Sequence, residues 1–276
     1  MATIKISELN ALASGSTCAT AVLPIVNDGT TDKISITDLK GKLRGTTNQA
    51  SGTSTVSGGD GNVVTGDFST IGGGCDNTVD AGGAPFAGNG TIAGGRDNRV
   101  TAANSAIGGG ISNCILGSTS YSSAMAGGIY NSISCFQSVI GGGRLNCVSK
   151  ASGTIGGGQS NTVSADDGTV GGGSNNTASS NHSAVLGGTR NVASGACSII
   201  GGGERNTASG TYSSILGGCC NVASCACSMI AGHNITSTVA NALHVNNLVI
   251  TSLPTSDPTV AGQLWNDAGT VKVSAG

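Results

Sequence analysis

One pentapeptide pattern, Gly-Gly-x-x-Asn, recurs eleven times along this chain, and any fold the chain adopts has to repeat with it. The pattern ends at Asn62, Asn77, Asn98, Asn113, Asn131, Asn146, Asn161, Asn176, Asn191, Asn206 and Asn221. Successive Asn residues lie 15, 21, 15 and 18 positions apart, and then 15 apart through the last six intervals. A fixed period of this kind marks an array in which each unit stacks on its neighbours.

Two apolar columns keep the same phase. Six positions before each Asn stand Val56, Ile71, Ile92, Ile107, Met125, Ile140, Ile155, Val170, Val185, Ile200 and Ile215. Two positions after it stand Val64, Val79, Val100, Ile115, Ile133, Val148, Val163, Ala178, Ala193, Ala208 and Ala223. Each unit therefore splits into two near-equal halves with one β-branched or small apolar residue in each. A helix is excluded, because a Gly pair at about 1 kcal/mol per Gly recurs in every unit and no 3.6-residue period persists. The pattern predicts an all-β fold, a parallel β-solenoid or β-roll of about 12 coils with two short strands per coil. At the ~4.8 Å spacing of paired strands, residues 54–242 would form a shaft of about 55–60 Å.

The composition agrees and narrows the function. Gly supplies 48 of 276 residues, charged side chains only 9%, and aromatics only 3%, against usual values of about 7% Gly and about 25% charged. An ordinary globular enzyme is not expected. With a net charge of −2 and a pI of 5.8, the chain offers no basic stripe for a phosphate backbone, so no nucleic acid is expected as a partner. No apolar run approaches the roughly 18 residues of a membrane-spanning helix. The opening residues show no basic region followed by an apolar core, which predicts assembly in the cytoplasm with no membrane insertion.

The inward residues are too few and too small to order a lone rod of this length. That shortfall predicts burial against other copies, and repeating faces suit a parallel homotrimer. The Asn column reads as structural: identical amides at one level of successive coils would hydrogen-bond as a ladder and tolerate the turn after Gly-Gly.

Little in the chain carries chemistry. The carboxylates of the repeat region are scattered, Asp166-Asp167 reads as a solvated bend rather than a paired-acid site, and His182, His233 and His244 share no ligand spacing. The Gly runs lack the Lys-Ser/Thr of a phosphate loop. No catalytic residue, metal or cofactor is expected. Cys114 and Cys147, like Cys197 and Cys227, fall two coils apart, about 9–10 Å and beyond disulfide reach. Cys225 falls where other coils carry Gly195, Gly210, Ala165 or Cys135 and reads as a small apolar residue. The column after the Asn mixes Thr, Val, Cys, Ser and Arg, which breaks the flat Thr array of an ice-binding solenoid.

The ends leave the period. Residues 1–53 hold a short strand, a Pro-interrupted apolar run over 21–26 and a short helix predicted over 37–43. Residues 243–276 open with a strand predicted over 243–250 and close with a hairpin of strands 263–265 and 270–273 around Asn266-Asp-Ala-Gly269. Such a segment would cap the open solenoid edge.

Several segments carry resemblances. The units Ser198-Ile-Ile-Gly-Gly-Gly-Glu-Arg-Asn-Thr-Ala-Ser-Gly210 and Ser213-Ser-Ile-Leu-Gly-Gly-Cys-Cys-Asn-Val-Ala-Ser224 resemble the head repeats of trimeric autotransporter adhesins, which form left-handed parallel β-rolls and trimerise. Thr3-Ile-Lys-Ile-Ser-Glu-Leu-Asn-Ala-Leu12, Ala21-Val-Leu-Pro-Ile-Val-Asn-Asp-Gly-Thr30 and Lys33-Ile-Ser-Ile-Thr-Asp-Leu39 are similar to N-terminal segments of tailed-bacteriophage fibre proteins, which dock on the virion. Leu253-Pro-Thr-Ser-Asp-Pro258 and Ala261-Gly-Gln-Leu-Trp-Asn-Asp-Ala-Gly-Thr-Val-Lys-Val-Ser274 look like C-terminal ends of phage structural proteins.

The resemblances imply a virion protein: a short tail or baseplate fibre that attaches to the host surface by adhesion. They imply anchoring to another virion protein through residues 1–53, with Ile4, Ile6, Leu9, Leu23, Ile25 and Leu39 as candidate anchor residues. A capsid decoration protein and a bacterial trimeric surface adhesin are the alternatives. Two insertions break the 15-residue period, around Ala84-Pro85-Phe86-Ala87 and Ser118-Thr119-Ser120-Tyr121, and insertions in a solenoid map to loops. Aromatics gather there, so Phe86, Tyr121, Tyr130 and Phe136, with Trp265 near the C terminus, are candidate contacts for a host glycan or protein.

Overall fold

The structure, a computed structural model, describes residues 22–27, 30–35, 48–81, 88–117 and 122–276. Each coil contributes two strands of mostly two residues, of which the second points inward. Thr154–Ile155 and Thr162–Val163 are representative: Ile155 and Val163 are fully buried while Thr154 faces water. The β-branched side chains that fill both inward columns are those that fit a pleated, half-buried surface.

The first strands of the coils form a thirteen-stranded parallel sheet from Thr55–Val56 to Leu243–Val245. The second strands form a twelve-stranded parallel sheet from Gln49–Ala50 to Val222–Ala223. In both, each strand pairs with its counterpart one coil away, as Ile155 does with Ile140 and Val170. A third line of single bridges joins the residues two positions before each Asn, from Asp60 and Cys75 through to Glu204 and Cys219. The described residues therefore form an all-β solenoid of about 12 coils, and none of them is helical. Both apolar columns read from the repeat are buried throughout and make up one continuous core, extended by Ile230, Ala81 and Ala102.

The two insertions leave the stacking intact. Residues 82–87 and 118–121 lie outside the described residues, yet Thr70–Ile71 pairs in register with Thr91–Ile92, and Ala106–Ile107 with Ala124–Met125. Strand pairing runs from Gln49 to Val245, a few residues beyond the 54–242 shaft read from the period.

The ends differ from expectation in three places. The Pro-interrupted run over 21–26 is a strand, Val22–Asn27, paired antiparallel with Thr30–Ser35. Pro24 is tolerated because a two-stranded sheet has only edge strands. The strand predicted over 243–250 stops at Val245. The Asn246 side chain folds back there, its Oδ1 accepting from the His233 N–H at 2.7 Å and its Nδ2 donating to the His233 carbonyl at 3.1 Å. The final hairpin pairs Leu264–Asp267 with Thr270–Val273, so its loop is the two residues Ala268-Gly269 and not four. Both take positive φ, 47° and 96°, the combination that matches the twist of a two-residue hairpin. The helix predicted over 37–43 lies outside the described residues.

Candidate interaction surface

The Asn column forms the polar spine of the rod. In Asn191, Oδ1 accepts from the Asn206 backbone N–H at 3.0 Å and from Asn206 Nδ2 at 3.1 Å. Its own Nδ2 donates to the carbonyls of Gly187 at 3.0 Å and Gly203 at 2.9 Å. All eleven amides are fully buried, where an unpaired polar group is costly, and each is saturated by the coils on either side. The spine begins earlier than the repeat predicts: Asn48 Oδ1 accepts from the Asn62 N–H at 2.9 Å. It ends where Ile235 replaces the next Asn and donates its N–H to Asn221 Oδ1 at 3.1 Å.

The turn strain falls beside the Asn and not on it. The residue preceding each ladder Asn is left-handed, as at Leu145 (φ 57°), Ser160 (55°) and Arg190 (57°), and a second left-handed residue closes the other turn, as at Ser152 (56°), His182 (56°) and Tyr212 (58°). Only Gly enters this region without penalty. The conformation persists because it aims each N–H at the previous coil: Leu145 donates to Ile129 at 3.0 Å, and Tyr212 to Ala196 at 2.8 Å. The turn-forming role expected of the Asn itself thus passes to its neighbour.

A second buried polar column, two positions before the first apolar one, escaped the sequence reading. Ser138 Oγ donates to the carbonyls of Phe136 at 3.0 Å and Lys150 at 3.1 Å and accepts from the Gly153 N–H at 3.3 Å. Ser198 and Ser213 occupy the same column, and their buried hydroxyls lack a hydrogen-bond partner. The recurrence of Ser at this phase was the available signal.

The candidate contact residues that the structure describes do not converge. Tyr130 and Phe136 are both exposed, but they sit on the two turns flanking the strand Ser132–Ile133. Trp265 is half-buried in the C-terminal hairpin, with Lys272 Nζ 5.6 Å from its ring centroid and paired with Asp267. Phe86 and Tyr121 lie outside the described residues. Phe68 and Tyr212, which the sequence reading did not select, are the most exposed aromatics described, at 66% and 64%. Both occupy left-handed turn positions, which push their rings outward. Of the anchor candidates, Leu23 and Ile25 lie on the first strand opposite Ile34 and Asp32, and Ile4, Ile6, Leu9 and Leu39 lie outside the described residues.

Polar chemistry on the surface is local. Cys75 Sγ donates to Asp76 Oδ2 at 3.1 Å, and that bond to a carboxylate raises its thiol above the ordinary range. Burial raises Cys147, with Cys114 adding to the effect. Among the described residues every cysteine is a free thiol, and no three His, Cys, Asp or Glu side chains gather into a metal-binding group.

No protein-family model matches the chain, and no curated protein is significantly similar to it.

Proposed function

We propose that this chain is a structural virion protein of a tailed bacteriophage, a short tail or baseplate fibre that attaches to the host surface by adhesion, without catalysis. The observation that carries the reading is the unbroken in-register pairing from Gln49 to Val245, set between end segments that resemble virion proteins. A rod that spends its side chains on self-stacking is suited to hold its two ends a fixed distance apart. In this reading three copies assemble in parallel, residues 1–53 dock on another virion protein, and exposed turn aromatics such as Tyr130 and Phe136 meet a host glycan or protein.

Imaging virions decorated with an antibody raised against residues 54–242 tests the assignment. Label at the tail tip or baseplate is expected. Label distributed over the head would replace the fibre by a capsid decoration protein, and label on uninfected bacterial cells would replace it by a surface adhesin.

A further inference from the structure

One side of the rod carries no charge. The Lys, Arg, Asp and Glu side chains described between Gln49 and Ala231 fall on the turn before the ladder Asn, as Arg96, Asp97, Glu204 and Arg205 do, or on the twelve-stranded sheet and the turn after it, as Arg99 and Asp166 do. The outer face of the thirteen-stranded sheet is left to uncharged residues. It presents two positions per coil: the first residue of each strand, and the residue just after the strand, whose N–H still joins the ladder. Leu186 donates to Ile200 at 2.9 Å and Leu216 to Ile230 at 3.0 Å.

The sizes at these two positions are coupled. In every described coil from Thr55 to Ala231, at least one of the two is Gly, Ala or Ser. Toward the C-terminal end the partner becomes large and changes side from coil to coil: Ala184 with Leu186, Ile199 with Gly201, Ser214 with Leu216, Met229 with Ala231. Strand pairing holds Ala184, Ile199, Ser214 and Met229 in one column. The four large side chains are exposed, Leu186 at 55%, Ile199 at 39%, Leu216 at 59% and Met229 at 42%. A contiguous apolar zigzag of this kind on a charge-free face marks an interaction site.

From these observations, and resting on the trimeric reading above, we infer that the outer face of the thirteen-stranded sheet is the surface through which copies of this chain associate, parallel and at equal height around a three-fold axis. In a cyclic assembly the contact is heterologous, so the left column of one copy meets the right column of the next. At equal height that contact sets Leu216 of one copy against Ser214 of its neighbour, and Ile199 against Gly201, so each of the four C-terminal levels offers one knob and one socket. An antiparallel pairing or a shift by one coil would set large against large at some levels and leave voids at others. A face of about 60 Å by about 12 Å, from the strand spacing and rise, lets each copy bury about 700 Å², divided between its two neighbours, close to the roughly 800 Å² that one partner contributes to a standard interface.

Light scattering on the purified full-length chain, with far-UV circular dichroism on each variant, tests this. The wild type should be a trimer of about 80 kDa, three times 26.5 kDa. The double variant Ile199→Lys/Leu216→Lys should fall to monomer, while Thr162→Lys/Thr207→Lys, on the outer face of the twelve-stranded sheet, should remain trimeric. A trimeric Ile199→Lys/Leu216→Lys variant would overturn the interface and leave the trimer standing. A monodisperse wild-type monomer or dimer would overturn the trimer itself. Should the lysine variant lose its β signal, Leu186→Ala/Leu216→Ala decides the matter, since Ala93 and Ala126 already occupy that column. Its trimer should dissociate at a concentration at least about tenfold higher than the wild type, and an unchanged dissociation curve rejects the interface.

Discussion

Asn206 Nδ2 donates to Asn191 Oδ1 at 3.1 Å, and the Asn206 backbone N–H reaches the same oxygen at 3.0 Å. One carbonyl oxygen thus ties both the side chain and the main chain of the next coil. Replacing Asn206 by Ala removes the acceptor of the buried Asn221 N–H and one partner of Asn221 Nδ2, and takes a donor from the Gly202 carbonyl, while the Gly218 carbonyl keeps the Glu204 N–H. The buried Asn221 N–H left without an acceptor costs about 1–3 kcal/mol, so Asn206→Ala should lower stability by about 1–3 kcal/mol. Urea titration at fixed chain concentration reads this, and a loss under about 0.5 kcal/mol would remove the ladder from the account of stability.

The serine column gives an internal contrast. Ser138→Ala leaves the Gly153 N–H without its acceptor and should cost about 1 kcal/mol. Ser213→Ala removes a hydroxyl that is already unpartnered and should be neutral or stabilising. Equal effects in parallel melts would contradict the distinction.

Backbone handedness provides a third. Leu145 is left-handed and its side chain is exposed, so Leu145→Gly should stabilise by about 1 kcal/mol. Two residues earlier, Gly143 is also at positive φ, and a Cβ there would collide with the carbonyl oxygen of Gly158. Gly143→Ala should therefore strongly destabilise the array, and thermal melts of the pair should move in opposite directions.

The C-terminal segment should respond to acid. Asp257 Oδ1 accepts from Ser274 Oγ at 2.5 Å and from the Thr259 N–H at 3.0 Å, and these bonds hold its carboxyl below the ordinary range. A carboxylate depressed in the folded state stabilises above its unfolded pKa, near 3.9, and that contribution disappears as pH falls through the lower folded value. Trp265 fluorescence should report a transition below about pH 4 that is absent in Asp257→Asn. The same transition in the variant would assign it to another group.

Exposed turn aromatics test the adhesive reading. Tyr130→Ala and Tyr212→Ala remove rings that face water, so stability should stay within about 0.5 kcal/mol of wild type while host adsorption of phage carrying the variants declines. Normal adsorption with both replaced would move recognition to other residues.

The solenoid was legible because its core is written once per coil. Val163 and Ile155 look alike to a sequence reader and to their neighbours in space, so period and burial coincide. What stayed hidden depends on backbone geometry, which residue type encodes weakly. The left-handed position before the Asn is filled by Leu145, Arg190, Cys220 and Tyr130 alike, because the N–H bond to the previous coil selects the conformation and the side chain merely tolerates it. The strand ends at Val245 because the next residue, Asn246, bonds back to His233, a contact that no local pattern marks. The candidate surface was less legible still: aromatic clustering drew attention to Tyr130 and Phe136, which lie close in sequence but on different turns. The size coupling between Ser214 and Leu216 appears only when two outward columns are compared across coils.

Because each Asn is satisfied by the coils on either side of it, a unit in the regular stretch from Asn131 to Asn206 has the same neighbours whatever its rank. Removing or duplicating 15 residues there, for example from 162 to 176, returns every remaining amide to an equivalent partner. Length in this protein is then a digital quantity, counted in coils of about 4.8 Å. Duplication or excision of whole units can shift the separation between its ends in discrete steps while the chemistry of each end is left untouched.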